Sequence, residues 1–326
     1  MRSHKLALAL ILSFAVISTS GCIFLPILPL LPGVTYDSGA DVEIPADLVE
    51  AAERILPSTV IVDTRYATGT GWVFDESGII VTNYHVIKDA RNIMVTLPDG
   101  RRFGVKSAAS DPISDLAVLY IDAPSLTAVA IGSSTTLKAN DQVVAVGNSL
   151  GNGISVKTGR VTRLNMTVSI ENQDFYGLIE NSAPIKQGDS GGPLVNKTGE
   201  VIGISTARIV GAKEIAYAIS IDSALPVLYD LITNGAVVWP YLGITGRDNP
   251  AGRGVLVEEV SPGSPAAEAG LRADDIILEI DDTPMSGMTE LRRHILFQEV
   301  GQSITVTYRR DGVETKVSAT LAARPA

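Results

Sequence analysis

A serine between glycines, an isolated histidine and an aspartate at the mouth of an apolar strand are the residues of this chain best suited to chemistry. Gly188-Asp189-Ser190-Gly191-Gly192-Pro193 sets Ser190 in a tight turn between two apolar segments. Glycine admits backbone angles that other residues resist and lets a substrate carbonyl come close. In such a turn the amides of Gly188-Asp189-Ser190, those of Gly188 and Ser190 above all, can converge on one point, as an oxyanion hole requires. By itself the motif also fits a Gly-rich hairpin. His85 follows the apolar run Ile79-Ile80-Val81 inside Thr82-Asn83-Tyr84-His85-Val86. Of the other two histidines, His4 lies in the leader and His294 among charged residues, where a solvated face is expected. Asp115 opens the run Leu116-Ala117-Val118-Leu119. A carboxylate there must be paired or lose its charge, and an imidazole N–H suits it. Asp111 competes, but the following Pro112 favours turn capping.

A serine hydroxyl barely ionises near neutral pH, so it needs a neighbouring base. His85 can take its proton and return it to a leaving amine, and Asp115 can fix the imidazole tautomer and stabilise the transient imidazolium. The order His, Asp, Ser is that of two-barrel serine proteases; subtilisins and α/β-hydrolases use other orders.

Composition narrows the classes around that chemistry. With 45% hydrophobic and 19% charged residues among 326, the chain can bury a sizeable core and hold two domains. Its net charge of −10, without basic patches, makes it a poor nucleic-acid binder. The single cysteine, Cys22, excludes an intrachain disulfide framework. Arg2 and Lys5, the apolar run from Leu6 to Ile17 and small Thr19-Ser20-Gly21 have the layout of an export signal, 1–21. Gly21 before Cys22 resembles a bacterial lipobox and makes Cys22 the expected acylated first residue, although Thr19 departs from the usual Leu. The competing reading is an uncleaved anchor from Leu6 to Leu31, disrupted by Pro26, Pro29 and Pro32. Either places the body outside the cytoplasm, held at a membrane.

The elements that must position these residues are mainly strands. Residues 22–46 read as an extended tether, and Asp47–Leu56 as a short helix stopped by Pro57. Val/Ile/Thr-rich runs then give about ten short strands before residue 222, which suits two small barrels. Asp222–Asn234 reads as a helix ended by Gly235. From Val237 on, strands at 254–260 and 276–280, helices at 264–269 and 288–297 and a hairpin around Asp311-Gly312 form a second folding unit. The histidines lie apart and the one cysteine is accounted for, so neither a metal nor another cofactor is expected.

Taken together, the three motifs and the terminal unit resemble the HtrA (Deg) serine proteases. Gly69–Phe74, Ala145-Val146-Gly147-Asn148 and Ala216-Tyr217-Ala218-Ile219 add to the likeness, which runs from about residue 47 to 322. It implies a mainly β fold: two six-stranded antiparallel β-barrels, chymotrypsin-like, over 47–235, then a small α+β PDZ domain over 236–326. It implies an endopeptidase cutting unfolded extracytoplasmic proteins after small aliphatic residues, with Ile185 at the start of the specificity pocket. For Ile185, ordinary core is an equal reading. Tyr241-Leu242-Gly243-Ile244 stands where a PDZ carboxylate-binding loop belongs, so hydrophobic C-terminal peptides would add as a strand beside helix 288–297. The short link Asp63–Thr68 suggests a small assembly, by resemblance a homotrimer.

The sequence departs from the family at Asp189, where Asn is commonest. In trypsin-like enzymes an Asp there pairs with a newly cut N-terminus, and no such activation site is evident here. Asp274-Asp275 replaces the usual Gly-Asp of the PDZ core. The alternative from another class is a non-catalytic holdase or peptide-binding scaffold that keeps the fold.

Overall fold

The structure, a computed structural model, describes residues 34–37, 44–170, 173–209 and 215–325. Residues 1–21, the expected export signal, and Cys22 lie outside the described residues. After strand β1 (Thr35–Asp37), helix α1 (Ala46–Ile55) buries Leu48, Ala51, Ala52 and Ile55 on one face. That spacing is why the segment is helical, and Pro57 ends it in a short 3-10 turn.

Seven strands follow: β2 (Thr59–Thr64), β3 (Thr68–Asp75), β4 (Ile79–Asn83), β5 (Ile93–Thr96), β6 (Arg102–Gly104), β7 (Ser107–Asp111) and β8 (Leu116–Tyr120). A one-turn helix, α2 (Tyr84–Ile87), interrupts them. Their antiparallel order is β6-β5-β2-β3-β4-β8-β7. The Val105 amide donates to Ile93 and that of Lys106 to Tyr120, so β6 and β7 are halves of one bent strand that closes the barrel. Val60, Val62, Val73, Ile80, Val95 and Leu119 fill it.

The second barrel comprises β9 (Gln142–Gly147), β10 (Ser155–Ile170), β11 (Gln173–Asn181), β12 (Pro193–Val195), β13 (Val201–Ile209) and β14 (Ile215–Ser220). It runs β10-β11-β14-β13-β12-β9 and closes through β9 on β10. Val143, Ala145, Val161, Ile179, Leu194 and Ile202 fill it. A larger cluster containing Trp72, Val81, Leu116, Val144, Val146 and Val195 joins the barrels. Helix α3 (Ile221–Asn234) caps this cluster and ends at Gly235, whose φ is 73°.

The tether reading needs one correction. Thr35–Asp37 pairs in parallel with Ser155–Lys157 of β10. β11 reaches β10 only from Val161 onward, so the start of β10 offers an open edge that β1 fills.

The terminal unit has its own core around Val255, Val257, Ile277, Ile280, Leu291 and Val306. It contains β15 (Pro240–Tyr241), β16 (Ile244–Asp248), β17 (Val255–Val260), α4 (Pro265–Glu268), β18 (Ile276–Ile280) and β19 (Thr283–Pro284). Helix α5 (Met288–Leu296), β20 (Ser303–Arg310), β21 (Val313–Thr320) and β22 (Ala322–Ala323) complete it. The mainly β reading, two barrels and then a small α+β unit, agrees with this architecture. Among the described residues no helix is long and apolar enough to cross a membrane.

Candidate active site

His85 and Asp115 are delivered by neighbouring strand ends. β4 and β8 pair through Asn83 and Leu116, after which α2 carries His85, while Asp115 immediately precedes β8. Asp115 has φ 57°, a left-handed conformation that Asp tolerates better than most residues. Its carbonyl accepts from Tyr84 N at 3.0 Å and from Asn83 Nδ2 at 2.8 Å. Its carboxylate faces the histidine: Oδ1 accepts from the His85 amide at 2.9 Å, and Oδ2 lies 2.8 Å from His85 Nδ1. The Asp115 side chain is only 7% exposed, that of His85 45%. An ionised carboxylate only accepts, so Nδ1 carries the proton and Nε2 is left as a basic nitrogen.

Thr206 completes this cluster and was missed in the sequence. Its hydroxyl donates to Asp115 Oδ2 at 2.8 Å, while its carbonyl accepts from Ser190 Oγ at 3.2 Å. The β13–β14 register shifts between Ser205 and Ala207, and this irregularity falls on Thr206. The only signal was a polar Ser205-Thr206 pair within an apolar strand. Ser190 thus reaches Asp115 through Thr206, and its hydroxyl is not donated to His85 in this conformation. The two walls are nonetheless adjacent. A Cβ on Gly191 would fall 2.3 Å from Thr82 Oγ1 and 2.9 Å from Asn83 N, so the serine turn lies against the end of β4.

That turn is held from both barrels. Gly188 has φ 95°, and a Cβ there would sit 2.2 Å from the Asn148 carbonyl oxygen. Buried Thr70 of β3 donates through Oγ1 to the Gly188 carbonyl at 2.7 Å and accepts at that oxygen from Asn148 N at 2.8 Å. The Gln187 carbonyl accepts from Leu150 N at 2.7 Å. Because the peptide is trans, the Gly188 N–H of the same unit points the opposite way. The amides of Gly188 and Ser190 donate to no group among the described residues. The Asp189 amide instead donates to Lys186 O at 3.1 Å, so it does not belong with the other two as a free donor.

The remaining candidates fall elsewhere. Ile185 is buried in the filling of the second barrel, the place of an ordinary core residue. His294 is half-buried, with Nε2 3.2 Å from Gln298 Nε2 and 3.9 Å from Asp281 Oδ2; this corrects the solvated-face reading. Tyr241 donates to Ser261 Oγ at 2.8 Å, Leu242 is buried, and Gly243 and Ile244 lead into β16. The Leu242 and Gly243 amides donate to no described group. They open on a cavity of about 650 Å³ that Met288, Leu291 and Ile295 of α5 line on one side. Gln173, Asp174 and Tyr176 of β11 line the other. Asp174 Oδ2 accepts from Thr289 at 3.2 Å and lies 3.6 Å from Arg292 Nη1. Among the described residues no three His, Cys, Asp or Glu side chains gather as a metal site would require.

Residues 69–204 match the trypsin-like peptidase domain and residues 240–321 the PDZ domain. The chain is 35% identical to the putative serine protease HhoB of Synechocystis over 74% of its own length and 63% of that protein. It is 35% identical to the periplasmic serine endoprotease DegP of Escherichia coli over 77% of its own length, but spans only 56% of that relative. Among solved structures, the serine endoprotease from Yersinia pestis superposes with a TM-score of 0.71 at 33% identity, covering 87% of this chain and 100% of that one. The HtrA-type protease AlgW, solved with a decapeptide, gives a TM-score of 0.75 at 27% identity, covering 86% and 99%. A trypsin-like double barrel followed by a PDZ domain, related at this level to DegP and HhoB, makes the chain a member of the HtrA family of serine proteases.

Proposed function

We propose that this protein is a serine endopeptidase that hydrolyses unfolded or misfolded extracytoplasmic proteins through an acyl-enzyme. Ser190 Oγ attacks the scissile carbonyl carbon and passes its proton to His85 Nε2. Asp115 holds the Nδ1 proton and stabilises the imidazolium. The oxyanion is met by the amides of Gly188 and Ser190. The C–N bond then breaks as His85 protonates the leaving amine, and water, deprotonated by the same imidazole, releases the acyl group. The observation carrying this reading is the 2.8 Å contact of His85 Nδ1 with a nearly buried Asp115, set beside a serine turn with two undonated amides. In this reading residues 1–21 are an export signal, 22–46 a membrane-proximal segment with Cys22 lipidated that docks on the protease through β1, 47–235 the protease and 236–326 the PDZ domain. Hydrophobic C-termini dock on the loop Tyr241–Ile244, and the assembly is a homotrimer.

Replacing Ser190 by Ala should lower casein turnover by about 10⁴-fold or more. Casein hydrolysis that survives this change rejects the assignment. One observation favours a second reading, a non-catalytic holdase: the Ser190 hydroxyl rests on the Thr206 carbonyl rather than on the imidazole. Serine–base hydrogen bonds of this kind are often long or unformed without substrate and tighten only in the Michaelis complex. A fluorophosphonate adduct on Ser190 supports the enzyme; its absence, with and without a hydrophobic C-terminal peptide, supports the holdase.

A further inference from the structure

Directly beneath the serine turn, Lys157 and Asp189 form an ion pair whose side chains are 1% and 2% exposed. Lys157 Nζ donates to Asp189 Oδ1 at 2.9 Å and to Ser155 Oγ at 2.6 Å. Asp189 also accepts from Ser149 Oγ at 2.9 Å, and its Oδ2 accepts from the Lys186 amide at 2.6 Å. Ser155 Oγ in turn lies 3.0 Å from Ser149 Oγ and 3.0 Å from the Gly147 carbonyl oxygen. The carboxylate is therefore tied to three segments that shape the turn: the start of β10, the Asn148–Leu150 loop and the chain entering Gly188. Burial pushes the Lys157 pKa down, and the Asp189 charge opposes that shift. Two charges this deep are tolerated only as a pair; removing either leaves the other desolvated and unmatched.

We infer that Lys157 is a positioning residue: its ammonium holds the Asp189 carboxylate inward and so fixes the Gly188–Ser190 turn with its amides aimed at the substrate carbonyl. The cation that a trypsin-like enzyme recruits from a freshly cut N-terminus is here an internal side chain, so the turn needs no chain cleavage to form. Lys157 touches no reacting atom and acts through Asp189. This positioning role rests on the oxyanion hole proposed above.

Two variants test it: Lys157→Met alone and Lys157→Met combined with Asp189→Asn. Lys157→Met should lower kcat on a peptide substrate by about 100-fold or more with KM within about threefold, the signature of lost transition-state stabilisation. The double variant, in which no charge remains buried, should recover kcat to within about tenfold of the parent. Hydrogen exchange in the Ser190→Ala background reads the turn without any hydrolysis. The protected amides of Asp189, Gly191 and Gly192 should exchange at least about tenfold faster in Lys157→Met and return toward the parent rate in the double variant. Should Lys157→Met fail to fold, the double variant still decides: slow exchange at the turn with recovered kcat supports the inference. Undisturbed exchange in Lys157→Met, or a double variant no better than the single one, overturns it. A hydrolytically inert parent with these exchange changes intact would discard the proposed reaction and keep the positioning role.

Discussion

The indole N–H of Trp239 donates to Asp111 Oδ1 at 2.9 Å, joining the linker after α3 to the turn that precedes β8. The other Asp111 oxygen accepts from Ser114 N at 2.7 Å and Ser114 Oγ at 2.6 Å, the residue next to Asp115. The Trp239 carbonyl accepts from Arg324 N at 2.8 Å, at the end of the PDZ unit. One linker residue thus touches both the turn that presents Asp115 and the terminal strand of the second unit. A hydrogen bond to a nearly buried carboxylate is worth about 1.5–3 kcal/mol. In a double-mutant cycle of Trp239→Phe and Asp111→Asn, read by urea unfolding, the coupling should be about 1 kcal/mol or more. Additive effects would mean that the contact carries no stability.

Thr206 gives a sharper test because it touches the carboxylate rather than the substrate. Thr206→Val keeps the shape of the side chain and removes one of the three hydrogen bonds to the Asp115 carboxylate. Asp115 then holds the imidazole less firmly, and kcat should fall about tenfold, equivalent to about 1.4 kcal/mol, with KM little changed. Thr206→Ser, which retains the hydroxyl, should stay within about threefold of the parent. Equal losses in Val and Ser would point to packing instead.

What the sequence made legible was whatever local pattern encodes. Alternating apolar runs gave most barrel strands, Gly235 gave the end of α3, and the motifs picked out His85 and Asp115, which meet at 2.8 Å. The missed features depend on contacts between distant segments. Strand β10 extends to Ile170, and its second half, from Arg163, alternates polar and apolar residues with the period of a strand. What no local pattern shows is that this half pairs with β11 through three register shifts. Lys157 sits where alternation would put a polar residue outward. It is fully buried because Asp189, thirty-two positions away, reaches it. Thr206 faces Asp115 through an irregularity that no spacing announces.

The undonated amides of Leu242 and Gly243 make a prediction about ligand chemistry. A free terminal carboxylate can accept from both, whereas a C-terminal amide offers one neutral oxygen and adds donors with nothing to meet. A hydrophobic peptide ending in a carboxylate should bind at least about tenfold more tightly than its amidated counterpart, measured by fluorescence anisotropy on the Ser190→Ala protein. Equal affinities would remove these amides from the recognition site.

Glu180 sets an acid limit on stability. Its carboxylate accepts from Thr162 Oγ1 at 2.7 Å, from Arg163 Nε at 3.0 Å and Nη2, and from the Tyr217 hydroxyl at 3.2 Å. The Arg163 hydrogen bond, opposed by burial, holds its pKa below the ordinary value of 4.5. A carboxyl whose pKa is lowered by folding contributes stability that is full above its unfolded pKa and is lost as pH falls through the folded value. The urea midpoint of the parent should therefore drop between about pH 5 and about pH 3, and Glu180→Gln should drop less steeply over the same interval. At neutral pH the same substitution should cost about 1–2 kcal/mol, at the low end for a charged cluster because the Arg163 side chain is 57% exposed and screened. Parallel pH dependences in the two proteins would show that the acid sensitivity comes from another carboxylate.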